Sequence, residues 1–441
     1  MVTEMIKAIS NRFSFGSMHA RFLDGASWSA IAVMASRGAL FIAMFLTARI
    51  LGAKNFGEYA IIQSSITLVE TFANAGMGVT AAKHVAQFRR NNRDKIGEII
   101  FMTIAVVGML GLPIALLIMV MSGEIARDVL DEPGLSFPLS LGAIILLLNL
   151  LKGAFIGIIS GFEAFQEMAR ANIISGIITV VTIPVGAFFW GVLGALIGVL
   201  LSTAVLVAIN GYIVIKIIIN EKIQMLYRMG DDNWRIFWDF SLPAMLAGAV
   251  MVPVVWIGNA LLIHQPNGYS ELGIFAATNQ WFSILLFIPS TITMSLLPVF
   301  SDYAGERSYN QLKEAIKLGI KASLLVVAPF AIVIAFTSPL IMNLYGQEYA
   351  GRWYLLMLAC ISALVASTNN VIGNFFMSVN RARTHLVSNI IWAVTFLLTA
   401  YYLMTSGFGA LSLAISILAA YAIKTFYIVN IMRSCFKEKV I

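Results

Sequence analysis

Long apolar runs separated by short polar segments dominate the chain. Twelve of them reach the roughly 20 residues that a helix needs to cross a bilayer. They fall at about 26–50, 57–79, 97–121, 138–160, 171–190, 192–215, 237–263, 272–299, 318–344, 353–379, 384–404 and 408–432. The pattern predicts twelve membrane spans, and an even number puts both chain ends on one side. Residues 1–21 read as a short segment before the first span. Met5, Ile6, Ile9 and Phe13 can share one side of an in-plane helix there, with a free tail as the alternative. The longest polar stretches, about 83–96, 216–236 and 300–317, leave no room for a soluble catalytic or nucleotide-binding domain.

Charge orients the spans. Of the 29 basic residues, 22 fall in the loops on the side of the termini. Lys54, Arg127 and Arg352 occupy the opposite loops, and Arg37, Arg49, Lys152 and Lys424 lie within spans. Basic loops stay in the cytoplasm, so the sequence predicts a multi-pass membrane protein with both termini cytoplasmic. The net charge of +7 is thereby a topology signal, and nucleic acid is not a predicted partner.

Composition agrees: 59% of the residues are hydrophobic and 12% charged, against about 25% charged in soluble domains. Cys360 stands in an apolar run and Cys435 in a basic tail, and the four histidines are scattered. No zinc spacing, phosphate loop or nucleophile elbow is present, so no metal, cofactor or catalytic group is expected.

The chain also repeats itself, at a nearly constant offset of about half its length. Phe22-Leu23-Asp24 answers Phe237-Trp238-Asp239, and Phe56-Gly57-Glu58-Tyr59-Ala60 answers Leu272-Gly273-Ile274-Phe275-Ala276. Ala171-Asn172-Ile173-Ile174 answers Ser388-Asn389-Ile390-Ile391, and Gly194-Ala195-Leu196 answers Gly409-Ala410-Leu411. Six spans is an even number, so the halves run parallel, an arrangement of secondary transporters whose site lies between the halves near mid-membrane. The expected organisation is an N-lobe at 22–220 (spans one to six), a C-lobe at 221–432 (spans seven to twelve) and a cytoplasmic tail at 433–441.

The run Thr47-Ala48-Arg49-Ile50-Leu51-Gly52-Ala53-Lys54-Asn55-Phe56-Gly57-Glu58-Tyr59, preceded by Arg37 in span one, resembles the opening of the polysaccharide (Wzx-type, O-antigen) flippases. These belong to the multidrug/oligosaccharidyl-lipid/polysaccharide exporter superfamily. Ala75-Gly76-Met77-Gly78 before a basic loop, and Gly161-Phe162-Glu163-Ala164-Phe165-Gln166 before span five, carry the same resemblance. It implies an all-α membrane fold, twelve helices in two six-helix bundles forming a V. It implies a flippase of the cytoplasmic (inner) membrane that moves an undecaprenyl-pyrophosphate-linked oligosaccharide from the cytoplasmic to the outer leaflet by alternating access, not an enzyme. The lipid-linked oligosaccharide, membrane lipids and the glycan polymerase or ligase machinery are the implied partners. An ion-coupled multidrug or metabolite exporter of the same superfamily is the alternative. A membrane enzyme of the same pathway would need a larger outer loop than about 122–137.

Such cargo needs a wet, cationic cavity. A mid-span arginine costs roughly 2.5–3.5 kcal/mol to insert, so each intramembrane charge needs a reason. Arg37 either holds phosphate oxygens or pairs with Glu70 of span two. Lys152, near the centre of span four, is the second candidate anion ligand, and Arg49 can serve the cavity mouth. Asn369, Asn370 and Asn374 in span ten, and the repeat mates Gln63 and Asn279, offer hydrogen bonds to sugar hydroxyls or pack helices. Glu70 is the candidate site for a coupling ion, H+ or Na+, or the partner of Arg37. Asp24 and Asp239 begin equivalent spans, where a carboxylate suits the helix dipole or a gate, and Pro253 can act as a hinge. Lys424 is expected to snorkel from span twelve to the interface.

Overall fold

The computed structural model describes residues 18–89, 93–225, 238, 241, 250–306, 308–379 and 381–438, with most side chains from Met34 onward. The N-terminal segment before Met18 and residue Asp239 lie outside the described residues, as does the side chain of Asp24.

Where they are described, the long apolar runs are helical, because lipid leaves backbone N–H and C=O groups no partner outside their own segment. The elements are α1 (Met18–Ala73), α2 (Met77–Phe88), α3 (Arg93–Glu124), α4 (Ser136–Gly161), α5 (Phe165–Asn220) and α6 (Met251–Ile263). They continue with α7 (Gly268–Gly305), α8 (Tyr309–Tyr345), α9 (Trp353–Ser378), α10 (Ala382–Thr405) and α11 (Ala410–Glu438).

Helices α1 and α5 are each 56 residues long. A straight helix of that length would far exceed the thickness of a bilayer, and neither is straight. Backbone at Gly52 (φ 74, ψ 175) breaks α1, and Trp190 with Gly191 (φ 57, ψ −138) breaks α5. Glycine takes these left-handed angles without a Cβ penalty, so each long helix folds into two spans joined by a minimal turn. Spans one and two are α1, three and four are α3 and α4, and five and six are α5. The described end of span seven is α6, and α7 to α11 supply spans eight to twelve. Eleven spans and the end of span seven are thereby present among the described residues. One expected boundary moves: span two ends at Ala73, and Ala75 (φ 47) and Gly76 (φ 69) turn the chain into the separate helix α2.

The repeat is visible in the backbone. Gly191 and Gly407, which correspond under the repeat, both adopt positive φ (57° and 81°) at equivalent turns. Gly52 has its counterpart at the start of α7, where Asn267 (φ 56) precedes Gly268. The face bearing these turns is opposite the chain ends and is called the distal face below.

The largest apolar core joins the two halves on the distal side, and its buried aromatics include Phe56, Tyr59, Phe275, Tyr345 and Tyr349. Phe45 meets Tyr345 edge-on at 4.5 Å and Phe41 meets Trp281 at 4.8 Å. The Trp281 indole donates to the Tyr345 hydroxyl at 3.0 Å. Polar contacts cross the same seam: Ala53 N–H donates to Glu348 Oε2 at 2.5 Å, and Tyr349 hydroxyl to the Ala48 carbonyl at 3.2 Å. Tyr269 hydroxyl donates to the Leu130 carbonyl at 2.5 Å. At the other end the halves touch where Thr80 and Ser241 hydroxyls lie 2.6 Å apart.

Candidate functional site

Spans one, two and four to eight surround a cavity of about 900 Å³ on the inner side of the distal seam. Its wall is mixed. Ser36, Asn172, Ser175, Thr179 and Ser202 alternate with apolar and aromatic groups such as Phe41, Met44 and Trp256. A water-filled cavity between bundles tolerates polar side chains that lipid-facing positions do not.

Arg37 is exposed and lines this cavity. Its guanidinium carbon lies 6.0 Å from the centre of the Phe287 ring, within cation–π range. Among the described residues no carboxylate comes within salt-bridge distance of it. The second of the two roles open to Arg37, a pair with Glu70, is therefore not what the structure contains. Glu70 accepts instead from Asn149 Nδ2 at 3.1 Å, and Asn149 Oδ1 accepts from Lys152 Nζ at 2.6 Å. The physical reason is the rotation of span two, which turns Glu70 toward span four. Asn149 and Lys152 both line the cavity.

Gln63 and Asn279 also line it. Gln63 Nε2 donates to the Tyr59 hydroxyl at 2.9 Å. Trp256 Nε1 donates to Ser65 Oγ at 2.9 Å. Two further lining amides, Asn259 and Gln280, each hold a buried side-chain oxygen with no hydrogen-bond partner among the described residues.

Other expected positions fall elsewhere. Asn369 is 2% exposed and donates to Thr425 Oγ1 at 2.5 Å, tying span ten to span twelve. Asn370 and Asn374 are partly exposed and do not line the cavity. Arg49 is exposed near the distal end of span one, outside the lining. Pro253 lies within α6, flanked by the lining residues Val252 and Val255. Lys424 does not snorkel. It is 5% exposed, and its ammonium donates to Asn389 Oδ1 of span eleven at 2.7 Å.

The residues passed over in the sequence are Asn149, Trp256, Asn259, Gln280 and Phe287. For Asn149 a signal exists: it lies three residues before Lys152, hence on the same helix face. Gln280 directly follows the candidate Asn279, whereas Trp256, Asn259 and Phe287 stand in mostly apolar stretches that do not announce which side faces a cavity.

The comparisons with known proteins fit this architecture. The polysaccharide biosynthesis protein family model matches residues 22–304, and a MatE model matches residues 243–402. The chain belongs to the polysaccharide biosynthesis protein family. It is a multi-pass membrane transporter of the multidrug/oligosaccharidyl-lipid/polysaccharide superfamily, as the motif around Arg49 to Tyr59 implies. The EPS I polysaccharide export inner membrane protein EpsE of Ralstonia solanacearum is 21% identical over 416 residues, covering 91% of each chain. The lipid III flippase of Escherichia coli strain K12 is 22% identical over 405 residues, covering 90% of this chain and 94% of that protein. The fold matches the inward-facing structure of a multidrug resistance MATE family transporter, with TM-score 0.77 and 14% identity over 94% of this chain and all of that one. That likeness supports the arrangement of twelve helices in two six-helix bundles.

Proposed function

We propose that the protein flips an undecaprenyl-pyrophosphate-linked oligosaccharide from the cytoplasmic to the outer leaflet of the inner membrane by alternating access. It carries out transport and makes or breaks no covalent bond. The observation that carries this reading is Arg37: a guanidinium inside a cavity of about 900 Å³ with no carboxylate beside it among the described residues. A planar guanidinium matches phosphate oxygens by bidentate hydrogen bonding, and Lys152 adds a second positive charge to the wall. Amides at Gln63, Asn259, Asn279 and Gln280 supply donors and acceptors for sugar hydroxyls, while the lipid tail stays in the bilayer. The export and flippase activities named for the relatives support the same cargo class.

In this reading the face that carries the basic loops is cytoplasmic and the closed distal face is outward. The lobes, 22–220 and 221–432, rock about the close contact of Gly57 with span eight at Gly273, with Pro253 of span seven absorbing part of the bend. A cationic-drug exporter would gain from acidic lining, and an Arg37 with no carboxylate beside it weighs against one. Arg49, exposed beside the Gly52 turn, serves the outer mouth, whereas Asn369 acts in helix packing.

The experiment is complementation in cells that depend on this protein for surface glycan. Arg37→Ala, Lys152→Ala and the double variant, at matched protein levels, are expected to accumulate lipid-linked glycan on the cytoplasmic side and lose surface glycan. Unchanged export by folded Arg37→Ala protein would overturn the phosphate-holding role.

A further inference from the structure

The two cavity cations differ in their surroundings. Arg37 has no carboxylate close by among the described residues, whereas Lys152 is linked to one through a single neutral side chain. Asn149 gives its Oδ1 to the Lys152 ammonium at 2.6 Å and its Nδ2 hydrogens to Glu70 Oε2 at 3.1 Å. The orientation of this amide is fixed by its partners, since an ammonium only donates and an ionised carboxylate only accepts. Asn149 and Lys152 face the cavity, and Glu70 stands behind them, outside the lining.

We propose that Glu70, Asn149 and Lys152 form a proton-operated switch on the anion site, in which a proton on Glu70 turns Lys152 into a phosphate-binding cation. This rests on the reading of the cavity as a pyrophosphate site. While Glu70 is ionised, an entering anion meets an ammonium whose charge is already balanced. It also meets the repulsion of the carboxylate across a medium that screens less than water. Protonation removes that negative charge and leaves the ammonium uncompensated at the cavity wall. The balance is simple: one proton moves from water to a Glu70 carboxylate oxygen, and no other bond changes. Linkage is reciprocal, so pyrophosphate binding draws a proton onto Glu70 by the same factor that the proton strengthens binding.

Few other groups can produce the same effect. Arg37 of span one is the other charged side chain of the lining, and the phenol of Tyr59 is held by Gln63. On the elements packed around spans two and four, the remaining charged or titratable groups lie outside the cavity lining and make no hydrogen bond to Asn149 or Lys152 among the described residues. They include Lys83 and His84 of α2, Glu98 of span three, Glu167 and Arg170 of span five, and Glu271 of span eight. Glu70 is therefore the acidic group placed to act on Lys152.

The test uses the full chain in lipid nanodiscs and farnesyl pyrophosphate as the probe. Calorimetry in buffers of different ionisation enthalpy, from about pH 5.5 to 8, gives both affinity and proton uptake. The wild type is expected to bind about tenfold tighter at the acidic end, within the usual range of coupled sites, and to take up a proton. Glu70→Gln is expected to bind tightly throughout, with the uptake due to the protein lost. Lys152→Gln is expected to bind weakly throughout. Titration of the probe itself is common to all three proteins and cancels in the comparison. A Glu70→Gln protein that keeps the wild-type pH slope and proton uptake overturns the switch while leaving the anion site intact. Wild-type protein that takes up no proton overturns it without any variant having to fold. Failure of the wild type to bind the probe at either pH overturns the anion site itself, and the switch with it.

Discussion

Gly57 of span two and Gly273 of span eight, mates under the internal repeat, pack backbone against backbone across the centre of the distal face. A Cβ on Gly57 would sit 1.8 Å from the Tyr269 carbonyl oxygen, and one on Gly273 would sit 1.9 Å from that of Ala53. Ala53 and Tyr269 are themselves repeat mates, so the contact repeats itself about the axis relating the two halves. Sequence repetition has become a physical crossing point, with no room for a side chain on either helix.

Any side chain at this crossing forces the two halves apart on the distal side. Overpacking a tight contact costs about 1–3 kcal/mol. Conformations of a transporter differ by only a few kcal/mol, so Gly57→Ala is expected to depopulate the distal-closed state. Spin labels on Lys54→Cys and His264→Cys, both exposed at the distal ends of spans two and seven, would report it. The expected result is a longer mean distance in the Gly57→Ala background, and an unchanged distribution would show that this crossing does not hold the state.

A second lock stands beside the first. The Glu348 carboxylate, from the turn after span nine, caps the start of span two by accepting from Ala53 N–H. It lies against Gly52, where a Cβ would come within 3.0 Å of Glu348 Oε2. Removing a helix cap costs about 0.5–2 kcal/mol, a loss felt here solely in the state that joins the halves. Glu348→Ala should therefore lengthen the same spin-label distance. Glu348→Gln, which keeps an acceptor but loses the charge that favours a helix N-terminus, should give a smaller change. Equal distances in all three proteins would remove Glu348 from the gate.

Much of this architecture is legible in the sequence because the bilayer imposes it. Where they are described, the apolar runs became spans, with the break between spans five and six at Gly191, because hydrocarbon leaves the backbone no other choice. The crossing of Gly57 with Gly273 is written in the repeat that pairs Phe56-Gly57 with Leu272-Gly273. What stays hidden is rotation about each helix axis. In a soluble helix an apolar stripe reveals the buried face, but a span that is apolar all round carries no such stripe. Hence Glu70 turns to Asn149 and not to Arg37, and Asn369 faces Thr425 of span twelve and not the cavity. Lys424 shows the same limit. Its position near a membrane boundary suggests an escape to water, yet its ammonium is turned inward to Asn389.

That inward lysine yields a stability prediction. Asn389 accepts a hydrogen bond from the Lys424 ammonium, and a hydrogen bond to a buried charge is worth about 1.5–3 kcal/mol, more when the charge is left unsatisfied. Asn389→Leu is expected to lower the thermal unfolding temperature in detergent markedly. Lys424→Met, which keeps similar bulk and removes the charge, should cost less, below about 1.5 kcal/mol. Adding Lys424→Met to Asn389→Leu should then recover most of the loss. If the two losses simply add, the ammonium does not depend on Asn389.

Orientation can be tested with the two natural cysteines as a quiet background, because Cys360 and Cys435 are 2% and 3% exposed. Arg127, in the distal turn after span three, has 65% of its side chain exposed, and Asp302 is exposed near the opposite end of α7. Cytoplasmic retention of Lys and Arg sets the topology of short loops, and the basic loops of this chain lie on the side of Asp302. A membrane-impermeant maleimide applied to intact cells is therefore expected to label Arg127→Cys strongly and Asp302→Cys at background level. Permeabilising the inner membrane should bring Asp302→Cys up to the level of Arg127→Cys. The reverse labelling pattern would place the basic face outside. The closed distal face would then be cytoplasmic, and loading of the cavity from the inner leaflet would have to be abandoned.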